Sequence, residues 1–398
     1  MKKKNLNNKR TIFFATRPIA PPWNEGSKNL VYRLANEINL FSLILLTYKD
    51  QMDLMGKENI YFDKIYPNDK NPFNNNISGH NIDYKNRCPS SIYLPLSLKQ
   101  NLSFLYAIIK NKASIYHFYF SPELITAKIL RLIKKFKRGK FLQTFATPIQ
   151  NKKMIERLVF GDAIVVQSNY NLKLLQENGV KNVHKIYPGV DTDYFRPGIL
   201  SNEVRKNFKI PGNSFVVLSC GNYSIGCNDE LVSMIKFITK RNSKIVFILA
   251  SRLDSAKDKI VEDNIKSVLE KEQNSGQVIF VENVYDIRQL ITISDIHIFL
   301  PNALCRKADI PVVLLESLAM EKPIVITDIA PFNEIMKSDV GEVVCSGNID
   351  MLIGSILRLY EDKDGRIAKG RRGREMVISE FNLKNYVAEY EKLYERLL

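Results

Sequence analysis

The chain has 398 residues, 45% hydrophobic and 25% charged, which are globular values for more chain than one ordinary core holds, so two domains of about 150 to 200 residues are expected. No apolar run approaches the roughly 20 residues that span a bilayer, and five cysteines without paired spacing exclude a disulfide framework or a zinc site. The formal net charge of +16 asks for an anionic partner or surface.

The opening, MKKKNLNNKRTIFFATRP, has the basic start of a signal peptide, but its apolar part is short and meets Arg17. TIFFAT therefore reads as the first strand of a cytoplasmic protein. The loop RPIAPPWNEG and an amphipathic helix, SKNLVYRLANEI, follow, and strands are expected at FSLILLTY, SIYHFYF, KFLQTFA and AIVVQS. From about Gln51 to Lys99 the chain is rich in Asn, Pro and Tyr and reads as irregular. HKIYPGVDTDYFRPG closes this block, and ILSNEVRKNFKIPGNS reads as a linker. The second block alternates more regularly: FVVLSCG, a helix from about Asn228, KIVFILA, a helix near Lys257 to Lys271, QVIFVEN, a short helix, IHIFLP, a helix and PIVITD. Such alternation predicts a parallel doubly wound α/β sheet with ligands at the carboxyl ends of its strands. The last segments, from NIDMLIGSILRLYED onward, are helical by spacing.

The densest charge lies in Arg131-Leu-Ile-Lys-Lys-Phe-Lys-Arg-Gly-Lys140, at the end of a predicted helix begun near Pro122. Ile125, Ile129, Ile133 and Phe136 recur there at helical spacing, with Lys128, Arg131, Lys134, Lys135 and Lys137 on other faces. Arg131, Lys134, Lys135, Lys137, Arg138 and Lys140 form a candidate membrane or acceptor patch, since a basic amphipathic helix suits the anionic inner face of a membrane. A core-facing helix with a solvated lysine face is the other reading. No nucleic-acid motif accompanies the charge, so nucleic acid is not expected as a partner. The four histidines, His80, His117, His184 and His297, fall at no metal-ligand spacing, and neither metal nor cofactor is expected. His117 could face a binding cleft or be packed in its apolar strand.

One carboxylate, Glu316, stands inside the apolar run VVLLESLAM between the strands IHIFLP and PIVITD. Burial of a carboxylate costs several kcal/mol unless a partner satisfies it, so either a ligand hydroxyl such as a ribose or an ion pair, with Lys322 as candidate, is expected.

The phrases PPWNEGSKNLVYRLA, VVQSNYNLKLLQENGV, IYPGVDTDYFRP, SDIHIFLPN…PVVLLESLAMEKPIVITD…NEI and GEVVCSGNIDMLIGSILRLYED…FNLKNYVAEYEKLY fall in an order that resembles family-4 glycosyltransferases. These are retaining, nucleotide-sugar-dependent enzymes of the GT-B type, and the resemblance covers nearly the whole chain outside Gln51 to Lys99. It implies two Rossmann-like doubly wound domains facing a cleft: residues 1–197 for the acceptor, residues 198–380 for the nucleotide-sugar, and 381–398 as a helix crossing back to the N-terminal domain. It also implies a glycan or lipid-linked saccharide as acceptor, with the nucleotide-sugar as substrate and no metal.

Carried over by motif, Glu316 matches the second Glu of the family's Glu, seven residues, Glu pattern, which holds the donor ribose. The amides of Val312, Val313, Leu314 and Leu315 match the helix start that faces the donor phosphates, and Gly26 matches the small residue that lets the N-terminal loop approach the donor. The first Glu falls on Ala308, with Asp309 beside it. Asn222 and Cys227 take the places of the family's diphosphate-clamping Arg and Lys, so Arg306 and Lys307, with Arg252 third, are candidate substitutes. Ala146 replaces a His found in many members. Two readings stand open from these residues: an active sugar transferase, or a non-catalytic GT-B-fold subunit that binds or partners another transferase.

Overall fold

The computed structural model describes residues 10–16, 26–48, 58–62, 98–147, 149, 152–198, 201–221, 223, 228–251, 256–282, 284, 286–302 and 309–398. They divide into two compact units, the first running through Gly189 and resuming at Leu383–Leu398, the second Val190–Asn382.

The first unit holds β1 (Thr11–Ala15), β2 (Ser42–Tyr48), β3 (Glu58–Phe62), β4 (Ile115–Tyr119), β5 (Lys140–Phe145), β6 (Ala163–Val166) and β7 (Val183–Lys185) in one sheet, in the order β3-β2-β1-β4-β5-β6-β7. Every pairing is parallel, with Phe13 opposite both Ile44 and Tyr116. Parallel strands need both faces covered, which is why β4 is buried at all five positions. Helices α1 (Gly26–Glu37), α2 (Leu98–Lys110) and α3 (Leu124–Lys134) belong to this unit. Phe104, Ala107 and Ile108 of α2 share a core with Ala127, Leu130 and Ile133 of α3 and with Phe13, Phe118 and Phe141 of the sheet.

The second unit holds β8 (Phe215–Gly221), β9 (Ile245–Ser251), β10 (Val278–Glu282), β11 (Ile296–Phe299), β12 (Ile324–Thr327) and β13 (Gly341–Val344), all parallel, in the order β10-β9-β8-β11-β12-β13. In both sheets the order reverses beside the first strand of the unit, β1 or β8. The carboxyl ends of those strands open the crevice where doubly wound folds bind ligands.

Three strands escaped the sequence reading. β3 lies in the stretch taken as irregular, while β7 and β13 have only three and four residues, too short to show a period. The segment taken as a linker carries a helix, Ser201–Asn207, anchored because Arg205 donates to the carbonyls of Ser214 and Ile293 and pairs with Asp295. The division falls at Gly189 rather than Pro197. Val190 donates to the Phe381 carbonyl and bridges Asn382, joining the two points where the chain enters and leaves the second unit.

The C-terminal helix Leu383–Leu397 packs into the first unit, as the resemblance implies. Its Tyr386, Tyr390 and Tyr394 recur every four residues on one face and are buried. Tyr394 Oη meets His117 Nδ1 at 2.7 Å, and His117 Nε2 meets Thr144 Oγ1 at 2.8 Å. Thr144 Oγ1 also meets Tyr390 Oη, while Tyr386 Oη meets Tyr119 Oη, which accepts from Gln167. His117 is therefore packed, not a cleft residue. Gly189 lets this helix dock: a Cβ there would lie 2.6 Å from Tyr386 Cβ and 3.0 Å from Leu383 Cα. Gly189→Ala is expected to cost about 1–3 kcal/mol as overpacking; an unchanged thermal midpoint would contradict this docking.

Candidate functional site

Pro311 precedes the helix Val312–Ala319 with extended backbone, and no side chain caps its first turn. The proline side chain offers no acceptor and the Pro311 carbonyl takes only the Leu314 N–H, at 3.1 Å, so the first N–H groups of the helix, at Val312 and Val313, remain for an anion, favoured by the helix dipole. The side chains of Val312, Leu314 and Leu315 are buried in the core and Val313 is half-buried, so these four residues can serve a ligand only through their backbone. The helix is apolar nearly all round because it is covered on all sides. A Cβ on Gly373, in the helix Lys363–Glu380, would come within 2.7 Å of Leu318, so that glycine sets the close contact on one flank.

Glu316 is the one charged residue in this helix and is only 7% exposed. The Lys322 alternative fails, because that ammonium donates to the Thr292 carbonyl. Glu316 instead lies near the end of β8: burial first, and then the Glu316 charge, push the Cys220 thiol far above its ordinary range. Its rotation is fixed by the next residue, since Ser317 Oγ meets Nδ1 of the fully buried His297 at 2.7 Å. Burial lowers the His297 pKa to about 3, so the ring is neutral. Thr327 at the end of β12 donates to the Pro301 carbonyl, tying β12 to the segment after β11. Asp309, just ahead of the helix, is fully buried rather than a solvated loop residue.

The structure adds a group that sequence reasoning missed, at the carboxyl ends of β9 and β10. Glu262, fully buried on the helix Ala256–Val268, accepts from Ser251 Oγ at 2.5 Å and from Lys259 and Lys266. The same lysines reach Glu282 at 3.2 and 2.6 Å. Burial acts to raise the Glu282 carboxyl, but hydrogen bonds from Lys266 and Lys259 outweigh it and hold the pKa at about 2. Lys259 also pairs with Asp263. With three carboxylates on two ammonium groups, this cluster has no spare positive charge for a diphosphate. Its signal was legible in the i,i+3 and i,i+4 spacing of Lys259, Glu262 and Lys266.

Gly26 is the half-buried first residue of α1, in the segment that follows β1. Arg306, Lys307, Ala308, Asn222, Cys227 and Arg252 lie outside the described residues. Ala146 is buried at the end of β5. The basic patch is partly corrected. Arg131 donates to the Val159 carbonyl at 3.0 Å, Lys134 pairs with Asp162 at 2.8 Å, and Lys137 donates to the carbonyls of Ile109 and Asn111. These three long side chains hold the end of α3 to its neighbours, whereas Lys135, Arg138 and Lys140 are exposed.

Residues 201–376 match the family model described as "Glycosyl transferases group 1". No curated protein matches the chain. Among solved structures, a glycosyltransferase from Rickettsia africae ESF-5 aligns at 20% identity and TM-score 0.72, over 98% of this chain and 99% of that one. Anabaena HepE in complex with UDP aligns at 12% identity and TM-score 0.74, over 97% and 100%. Sucrose-phosphate synthase from Thermosynechococcus elongatus aligns at 14% identity and TM-score 0.69, over 98% and 99%. Residues 201–376 are thus similar to the glycosyl transferases group 1, in a chain whose two parallel sheets and returning C-terminal helix have the GT-B fold of these structures.

Proposed function

We propose that the protein moves a sugar from a nucleotide-sugar to a glycan or lipid-linked saccharide acceptor, with retention of anomeric configuration, in cell-surface polysaccharide or glycoconjugate synthesis. The observation that carries this reading is Glu316, a nearly buried carboxylate on a helix with no side-chain cap, at the carboxyl ends of the strands in the group 1 domain. HepE structures in complex with UDP and with UDP-glucose support a nucleotide-sugar as donor.

In this reading Glu316 accepts hydrogen bonds from the ribose hydroxyls. Of the amides at this helix start, Leu314's is held by the Pro311 carbonyl, and those of Val312 and Val313 face the diphosphate, where the dipole of the helix opposes the charge that develops as the glycosidic bond to the leaving group breaks. His297 and Ser317 keep the helix rotated so that Glu316 faces the donor. Asp309 and Gly26 complete the sugar side, and Arg306 and Lys307 supply the cations that Asn222 and Cys227 lack. The first unit holds the acceptor, and the protein works at the inner face of a membrane.

The test is to incubate the purified chain with UDP-, GDP- and ADP-sugars and a membrane-derived glycan fraction, following nucleoside diphosphate release and the anomeric signal of the product by NMR. Acceptor-dependent release with a retained anomer is expected. Nucleotide binding without any release would contradict this reading and favour the non-catalytic subunit.

A further inference from the structure

We propose, resting on the reading that the protein works at a membrane face, that the outer face of α2 and α3 is the docking surface for an anionic lipid bilayer, made by a line of exposed apolar side chains flanked by lysines. The face of α3 that meets the sheet carries Ala127, Leu130 and Ile133. The opposite face carries Ile125, Leu132 and, just past the helix, Phe136, spaced by seven and then four residues so that they fall on one line. They are 70%, 56% and 81% exposed. On α2, Tyr106 and Ile109 are 61% and 57% exposed. The two helices cover the same sheet face, and the Lys137 ammonium sits 2.7 Å from the Ile109 carbonyl, which brings the end of α3 to the end of α2. Single exposed hydrophobic residues need no explanation, but five on adjoining outer faces form a patch that calls for a cover.

Charge selects the cover. From Leu98 to Lys140 the sequence has ten Lys or Arg and one carboxylate, Glu123. Arg131, Lys134 and Lys137 are spent on the fold, leaving Lys128, Lys135, Arg138 and Lys140 exposed around α3 and Lys110 and Lys112 exposed at the end of α2. A second copy of the chain would set these cations against their own kind across a two-fold axis. An anionic bilayer satisfies both features: Phe136, Leu132 and Ile125 enter the headgroup boundary, and the lysines reach phosphate groups alongside. This surface belongs to the first unit and the Val312–Ala319 helix to the second, so lipid binding and nucleotide binding are measured separately.

The test is sedimentation of the full chain with phosphatidylcholine vesicles and with phosphatidylcholine–phosphatidylglycerol vesicles. The chain is expected to pellet with the anionic vesicles at low salt and to be largely released at about 1 M NaCl, where the screening length falls to about 3 Å. Leu132→Ser with Phe136→Ser, and separately Lys128→Glu with Lys135→Glu, should each weaken partitioning about tenfold or more. All four side chains are exposed or at the helix surface, so the thermal midpoint should hold in both variants. Failure to pellet, equal pelleting with neutral vesicles, or full binding by either variant would overturn the proposal. So would a dimer that Phe136→Ser dissolves.

Discussion

Glu316→Gln is expected to weaken nucleoside diphosphate binding by about 1–3 kcal/mol, or roughly 5- to 150-fold, the usual range for a hydrogen bond to a charged group. The amide keeps the size of the side chain, so Leu314, Leu315 and Leu318 stay in the core and Ser317 keeps its contact with His297. The fold should therefore survive, with a thermal midpoint near that of the parent. Turnover should fall at least as far as affinity if the ribose contact also orients the donor. If the variant binds nucleotide as the parent does, Glu316 serves only the packing of its own helix.

Acid should destabilise the protein through its two buried histidines well before its carboxylates protonate. Burial holds the His117 pKa at about 3 against an ordinary value of 6.5, and His297 is lowered in the same way. Each folded ring stays neutral down to about pH 3, while the unfolded chain takes up a proton below pH 6.5, so the contribution is complete above pH 6.5 and is lost as pH falls toward 3. At about pH 5 the loss is on the order of 2 kcal/mol per histidine. Calorimetric unfolding between pH 7 and 5 should show proton uptake, and His117→Gln should remove about one proton of it. An uptake identical in the variant would mean that His117 titrates normally in the folded chain.

Much of this molecule was legible where the chain repeats a physical pattern. The β-branched runs of β8, β9, β11 and β12 and the helix start at Pro311 read directly, because a parallel sheet covered on both faces leaves continuous apolar stretches. Glu316 stood out because a lone carboxylate in VVLLESLAM needs a partner. What escaped depends on contacts between distant segments. His117 looked like a residue that either packs or faces a ligand, and only the return of Tyr390 and Tyr394 from the chain's end decides for packing. His297 was weighed only as a metal ligand, at no ligand spacing, yet it sets the rotation of the Glu316 helix through Ser317. On α3, periodicity grouped Ile125 and Phe136 with Ile133 and set Arg131 among the surface cations. The structure exposes the first two and turns the arginine to the Val159 carbonyl. A basic amphipathic helix has two apolar lines, and sequence spacing alone does not say which one meets the sheet.

The most direct measurement is a calorimetric titration of the purified chain with UDP, GDP and ADP, repeated with Glu316→Gln. Micromolar binding of one nucleotide, weakened in the variant, is the result expected of a donor site built on the Val312–Ala319 helix, and it also fixes the base. Absence of binding by all three would contradict that site and turn attention to a protein partner for the GT-B fold.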